Sequence, residues 1–424
     1  MRRFLRWLVI AMWLLALPLA REPLRAAEES PYAELFEAVW STVYDYYLGI
    51  PAVDWEAVRR VYEPRVLAAQ SEDEAYALVQ EMVALLGDPG TYVRTPAEIA
   101  AMSGAQGPQA GERFIGVGML LGMTHDGDVV VLRVLERGPA ERAGIRAGVR
   151  VAYVDGVKTA GMNQAEVAAM IRGEAGSTVA ITVVDPDENQ RTYSIRRAPV
   201  EFKSEVSSRN LGGGLGYLAI PTFRAGTEGE VLSHLRRLYR TDALLIDLRG
   251  FDGDVEPATL FKIAGLFTGD PLGILLTPEG PFGLFPDREW ADGTGVFGVP
   301  RPTRLDYYEK PAVVIVDSSI SGSPLALALV QGLRETGRAA VVGRGSPPGS
   351  LAGAGQVYLS LPGGGVLSVT SYFLFNDEGF VFELAPDVDV PLDRAYLKGL
   401  YEGKDPDLEA ARERALALLR GENP

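Results

Sequence analysis

Cysteine is missing from all 424 residues. The chain therefore forms no disulfide, performs no thiol chemistry and takes no lipid on a cysteine near its start. Histidine is almost as scarce, limited to His125 and His234, and without a His-x-x-x-His or cysteine spacing there is no support for a transition-metal site. Both histidines read as surface or structural residues. Positive charge is in deficit: 41 Lys and Arg face 56 Asp and Glu, a net charge of -15. Such a surface repels a phosphate backbone on average and argues against nucleic acid as a partner. A long apolar run is lacking as well. Trp7 to Ala20 is uncharged but short of the roughly 20 residues a spanning helix needs. Preceded by Arg2, Arg3 and Arg6, it has the layout of a secretory signal peptide. Residues 1–27 are read as a signal peptide or an N-terminal anchor. The anchor stays open because Leu24 stands where a small residue would mark cleavage before Ala26. The expected destination is periplasmic or extracytoplasmic, with attachment to the inner membrane as the variant.

What is present is enough apolar residue, 47% of the chain, to build two to four cored domains. Leu35, Phe36, Val39, Trp40, Val43, Tyr44 and Tyr47 recur at helical spacing. A second helix is expected after Asp54. A third begins at Ser71, with Glu74 placed to close a capping box, and Gly87-Asp88-Pro89-Gly90 ends this helical block, read as 28–100. Residues 101–111 are small and flexible in composition, as in a linker.

Between Pro139 and Gly156, Gly144 and Gly148 stand where a short helix stops and turns. A strand through Val149, Val151 and Val154 then ends in an Asp155-Gly156 turn. Upstream, Ile115-Gly116-Val117-Gly118-Met119 is a glycine-rich loop entering a strand, able to present backbone N–H groups to a terminal carboxylate. Asn163 and Glu166 cap a helix carrying Val167, Met170 and Ile171, which would wall a groove beside Met119-Leu120-Leu121. Strands at 178–184 and 192–195 close the unit, read as 113–200. It resembles a PDZ domain, which implies binding of polypeptide C-termini at residues 115–119.

From Leu215 strands alternate with helices, the signature of an α/β core, read as 201–399 and followed by a C-terminal helix in 400–424. Gly280 to Lys310 lacks periodicity and reads as a lid or a β-ribbon insertion. The order of leader, helical block, PDZ and α/β core resembles the carboxyl-terminal processing peptidases, or tail-specific proteases. The resemblance rests on Leu215–Ile220 with Phe223, on Leu244-Leu245-Ile246-Asp247-Leu248-Arg249-Gly250, and on Ala385–Pro391. It implies an α/β fold of the α+β multidomain kind, with a crotonase-like peptidase core. It also implies a serine-type endopeptidase that needs no cofactor and trims the C-termini of exported proteins with a Ser-Lys pair and an assisting Gln.

Carried onto this chain, the resemblance places the nucleophile at Ser321, with Ser323 as rival, in Ser318-Ser319-Ile320-Ser321-Gly322-Ser323-Pro324. Helix capping is the competing role for either serine. The oxyanion donors would be the N–H groups of Gly253 and Gly322. The loop Gly250-Phe251-Asp252-Gly253-Asp254 departs from the family pattern at Asp252 and Asp254, whose charge would oppose an oxyanion. Gln356 falls in register, but the lysine base does not: Gly349 or Ala352 holds its place. Arg344 cannot replace it, because a guanidinium stays protonated. The related tricorn-type peptidases take a histidine from a segment before the PDZ, where this chain has Gly90. Lys262 is the one lysine considered able to reach across; a solvated helix face is its alternative. The expectation is a degenerate site with hydrolysis in doubt, or a non-catalytic peptide-binding scaffold.

Overall fold

The computed structural model describes residues 30–48, 53–103, 113–201, 205–278, 280–287, 308–345, 354–375 and 384–422. The expected leader, 1–27, lies outside them. So do most of the Gly280–Lys310 stretch, the Gly349/Ala352 position and the greater part of the expected linker. No described helix is long and apolar enough to cross a membrane.

Helices α1 (Ala33–Tyr46), α2 (Trp55–Leu67) and α3 (Glu72–Ala84) begin the described chain. Asp54 caps α2 by accepting the Ala57 N–H, and Ser71 caps α3 by accepting that of Glu74. The Glu74 carboxylate takes the Gln70 N–H at 2.7 Å instead of the one on Ser71, so the expected box closes one residue early. Trp40 and Trp55 tie α1 to the start of α2: each indole N–H donates to the other's carbonyl, at 3.2 and 3.0 Å. Both rings are thereby buried without an orphaned donor. Strand β1 (Tyr92–Arg94) follows, and α4 (Pro96–Ser103) takes the first residues of the stretch expected to be linker.

The next unit runs β2 (Arg113–Gly116), β3 (Met119–Met123), β4 (Val129–Val134), α5 (Pro139–Ala143), β5 (Arg150–Val154), β6 (Val157–Lys158), α6 (Gln164–Ile171), β7 (Thr178–Val184), β8 (Gln190–Arg196) and β9 (Ala198–Glu201). Its sheet has the order β3-β4-β5-β7-β8, which leaves β3 at an edge, while β2 pairs with β9. Asp155 and Gly156 have φ of 48° and 81° between β5 and β6, the positive values a two-residue hairpin of matching twist requires. The Asn163–Glu166 capping box forms in both directions.

The remainder holds β10 (Ser207–Gly212), β11 (Leu215–Ala219), α7 (Thr227–Leu238), β12 (Ala243–Asp247), α8 (Pro257–Gly265), β13 (Gly273–Thr277), β14 (Gly280–Leu284), β15 (Ala312–Val316), α9 (Pro324–Glu335), β16 (Ala339–Gly343), β17 (Ala354–Ser360), β18 (Val366–Phe375), β19 (Val388–Asp389), α10 (Arg394–Tyr401) and α11 (Pro406–Leu419). A sheet of order β10-β11-β12-β15-β16-β19 is parallel except at β10. Its central strands β12, β15 and β16 are buried on both sides because both faces are covered. Leu244, Ile246, Val314 and Val316 meet residues of α7, α8 and α9. Leu245, Val313 and Ile315 meet Tyr396 of α10 and Ala411 and Ala415 of α11.

The C-terminal segment therefore supplies a layer of the core, and it contains α10 besides the single helix expected. A second sheet joins β1, β17, β18, β13 and β14. Its Leu367 and Val369 share a core with α1, α2 and α3, which seats the helical block on this sheet. The β-ribbon expected within 280–310 begins earlier, as the β13–β14 hairpin.

Candidate active site and peptide groove

The groove lies between the free edge of β3 and helix α6. It encloses about 410 Å³ and is lined by the loop Gly116–Met119, by Leu121 and Met123, and by Ala165, Ala168, Ile171 and Arg172 of α6. Of the expected residues 115–119, Gly116 to Met119 line it, whereas Ile115 pairs with Pro199 in the β2–β9 ladder and is not part of the lining. Gly118 holds φ of 80°, a turn a side chain would resist. The carbonyls of Val117 and Gly118 are taken by Ala140 and Leu135, while their N–H groups have no acceptor among the described residues. Buried or half-buried orphan donors are costly, and a peptide's terminal carboxylate satisfies such a pair.

At the other candidate centre, β15 ends and the chain makes a 3₁₀ turn, Ser318–Gly322, before α9. Ser323 is buried and accepts the Ala326 N–H at 3.4 Å as the cap of α9, with Pro324 in the first helical turn. Its hydroxyl is thereby committed to the helix. Ser321 stands half-buried on the turn itself, and Gly322 beside it is exposed.

The loop carrying Gly253 is fastened to this turn by two side chains. Asp317 accepts the Gly250 N–H at 3.2 Å, and Ser319 Oγ accepts the Phe251 N–H at 2.9 Å. Ser319 in turn donates to Asp317. Gly253 has φ of 84°, and its N–H has no acceptor among the described residues. Asp252 is held in its own turn, Oδ1 accepting the Asp254 N–H at 3.0 Å. Burial raises its pKa above the usual carboxylate range, against smaller opposing effects from the Asp254 N–H, Thr222 and Arg224.

Gln356 lies on β17, in the other sheet. Its amide donates to the Ala354 carbonyl at 3.3 Å and its Oε1 faces the Tyr358 hydroxyl at 3.5 Å. Gly90 lies against it: a Cβ at residue 90 would overlap the Thr370 hydroxyl and come within 3.2 Å of Gln356 Nε2. Thr370 is fully buried, and its hydroxyl has no partner among the described residues. The place from which the tricorn-type histidine would project is therefore filled in this chain.

Lys262 does not present a solvated face. Its ammonium lies 3.1 Å from Glu228 Oε1, on a carboxylate that is 5% exposed and also bonded by the Thr259 hydroxyl. Arg344 is likewise engaged, with Asp407 at 2.9 Å and the Tyr396 ring at 5.0 Å. His234 accepts or donates at 2.7 Å to Ser208, and burial, then Arg237, lowers its pKa. His125 is exposed in the β3–β4 turn.

A polar cavity of about 490 Å³ separates the groove unit from this turn, with Leu120 and Arg133 on one wall and Tyr217, Asp247, Arg249 and Asp317 on another. Arg249 bonds Asp247, Asp405 and Asp407, so α11 holds the residue that precedes the Gly250 loop. Burial alone would lower the Arg249 pKa; the carboxylates overcome this and raise it well above its usual value. Sequence reasoning singled out neither the Arg249 cluster nor the Asp317–Ser319 clasp. Asp317 and Ser319 were in view only as flanks of Ser321, and their partners are about 67 residues away in sequence.

Residues 29–84 match the Tricorn protease C1 domain family and residues 130–185 the PDZ domain family. A carboxyl-terminal-processing protease of Picosynechococcus sp. is 29% identical over 324 residues, covering 75% of this chain and 72% of the relative. The carboxy-terminal processing protease CtpB of Bacillus subtilis is 30% identical over 145 residues, 33% of this chain and 30% of that one. Among solved structures, the photosystem II D1 C-terminal processing protease superposes with a TM-score of 0.56 at 22% identity, over 90% of this chain and 96% of that one. Mature CPAF superposes with a TM-score of 0.55 at 12% identity, over 92% and 98%, and these two likenesses speak for the fold alone. With a tricorn C1 match on the helical block, a PDZ domain behind it and a relative similar over most of its length, the chain carries a PDZ domain and is similar to the carboxyl-terminal processing peptidases.

Proposed function

We propose that the protein captures polypeptide C-termini in its PDZ groove, outside the cytoplasm, and presents the captured chain to a Ser321 centre whose hydrolysis is crippled by the loss of the family's general-base lysine. Arg2, Arg3 and Arg6 before an uncharged run support the export. In this reading 28–100 is a helical block, 113–200 the peptide-binding unit, 201–399 the peptidase-like core and 400–424 its closing helix. Ser321 is the nucleophile, Gly253 and Gly322 are the oxyanion donors, and Gln356 assists.

The observation that carries the reading is the pairing of Lys262 with Glu228 at 3.1 Å. It engages the one lysine considered as a substitute, in a chain whose Gly349 and Ala352 leave the family's lysine position without an amine. A serine hydroxyl is a poor nucleophile until a base takes its proton. Removing one member of such a unit costs on the order of 10⁴ to 10⁶ in turnover.

The test is incubation of the chain lacking residues 1–27 with an unfolded exported protein. Binding of C-terminal peptides without Ser321-dependent cleavage supports the reading. Cleavage that disappears in Ser321→Ala overturns its catalytic half, and failure to bind any C-terminus overturns its capture half. The alternative, a scaffold that never cleaves, is favoured by the same ion pair and differs in leaving Ser321 inert to fluorophosphonates.

A further inference from the structure

We propose that Met123 is an oxidation site: a hydroperoxide converts its thioether to the sulfoxide, and the altered rim of the groove then holds captured chains less tightly. The proposal rests on the capture reading and adds a chemical control over it.

With no cysteine in the chain, methionine is its only source of sulfur, and the methionines differ sharply in access. Met82 is fully buried in the core of the helical block. Met119, Met162 and Met170 are half-buried against the core of the PDZ unit, whereas Met123 is 49% exposed. Among the described methionine side chains it is the one a small oxidant meets first. Strand alternation fixes where it points. A Cβ at Gly122 would run into Leu132 of β4, which packs toward the α/β core, so residue 122 faces away from the groove. Leu121 and Met123 face the other way and both line the groove, Leu121 as buried floor and Met123 as open rim.

A chain that joins the free edge of β3, its carboxylate at Val117 and Gly118, runs along the strand toward Met123. Met123 stands four residues beyond Met119, about 13 Å of strand. Its side chain therefore meets the upstream part of the captured chain and is covered when that chain is bound. The oxidation balances with the hydroperoxide alone. A sulfur lone pair attacks one oxygen of hydrogen peroxide, and the S–O bond forms as the O–O bond breaks. The proton on the attacked oxygen joins the departing hydroxide to make water, and two electrons pass from sulfur to the peroxide. A soft apolar contact is thereby replaced by a polar sulfoxide, which a bound chain must strip of water. A methionine sulfoxide reductase reverses the change.

The experiment treats the chain lacking residues 1–27, which retains every described element, with increasing hydrogen peroxide and maps each sulfoxide by mass spectrometry. Binding of a labelled ten-residue C-terminal peptide is read by fluorescence anisotropy on the same samples. Met123 is expected to oxidise before Met119, Met162 and Met170, and a saturating amount of the peptide should slow its oxidation. Protein oxidised at Met123 alone should bind the peptide about fivefold to tenfold more weakly, the size of one polar group desolvated with partial compensation. Treatment with a sulfoxide reductase should restore the affinity. Met123→Leu, a volume-conserving change at an exposed position, should bind the peptide as the wild type does and keep that affinity at the same peroxide dose. Earlier oxidation of the half-buried methionines, no protection by the peptide, unchanged affinity after oxidation of Met123, or an equal loss in Met123→Leu each overturns the proposal and leaves capture standing. Failure of the untreated protein to bind any C-terminal peptide overturns both.

Discussion

The Ser319 hydroxyl accepts the main-chain N–H of Phe251 at 2.9 Å, tying the turn that carries Ser321 to the loop that carries Gly253. The same hydroxyl donates to Asp317, whose other oxygen takes the Gly250 N–H. Two segments far apart in sequence are thus set against each other by two short side chains. Ser319→Ala leaves a half-buried N–H unsatisfied, and the expected cost is about 1–2 kcal/mol. Urea unfolding measures it, and the Phe251 amide should exchange faster in the variant. An unchanged midpoint and unchanged exchange would remove the clasp from the account.

Ser321 and Ser323 should separate cleanly. Ser323 caps α9 through the Ala326 N–H, so Ser323→Ala should cost about 1 kcal/mol. Whatever labelling a fluorophosphonate achieves should survive that change and vanish in Ser321→Ala. Mass spectrometry of the labelled peptide decides, and a label on Ser323 would contradict the assignment.

The Glu228–Lys262 pair predicts an acid-side signature. Burial opposes ionisation of Glu228, but its own backbone N–H, Lys262 and Thr259 outweigh it and hold the carboxyl below its ordinary range. A depressed folded value means stabilisation that is complete above the unfolded value, about 4.3. It is lost as pH falls through the lower folded value. Wild type should therefore exceed Glu228→Gln in unfolding free energy by a constant margin near neutrality, and the margin should shrink below about pH 4.5. A margin that persists unchanged to about pH 3 would show that the carboxylate charge contributes nothing.

The Asp252 carboxyl has the opposite sign. Burial raises it, so the folded protein holds its proton more tightly than the unfolded chain and gives up stability as pH rises through the two values. Asp252→Asn should raise Tm at pH 7 and lose that advantage in acid. A lower Tm at pH 7 would mean that the Asp254 N–H bond at 3.0 Å outweighs the burial.

Much of this architecture was legible because local signals agreed with it. The capping residues Asp54, Ser71 and Asn163 each mark a helix start that forms, and the apolar runs at 243–247, 312–316 and 339–343 are strands buried on both faces. The groove was legible from Gly116, Gly118 and the Asn163 helix. What escaped depends on long-range geometry. Helix α10 has an apolar stripe, Tyr396, Leu397 and Leu400, but at eight residues it is short enough to pass for a loop segment. The role of Lys262 was set by Glu228, 34 positions away. The filling of the space at Gly90 by Thr370 required β1 and β18 to pair.

That filled space distinguishes two repairs of the base. Gly90→His should fail to create hydrolysis, because its Cβ would overlap the Thr370 hydroxyl. A lysine at one of the two positions that align with the family's base, Gly349→Lys or Ala352→Lys, should raise Ser321-dependent cleavage by about 10² or more, the contribution of a positioned general base. Activity gained by Gly90→His alone would show that the Thr370 contact yields easily.

The most direct measurement is a parallel assay of binding and cleavage on one unfolded exported protein, using wild type and Ser321→Ala. The account predicts saturable binding of the substrate's C-terminus by both and no difference in its cleavage. Cleavage by wild type that is abolished in Ser321→Ala would contradict it, because a working base would then have to stand beside Ser321.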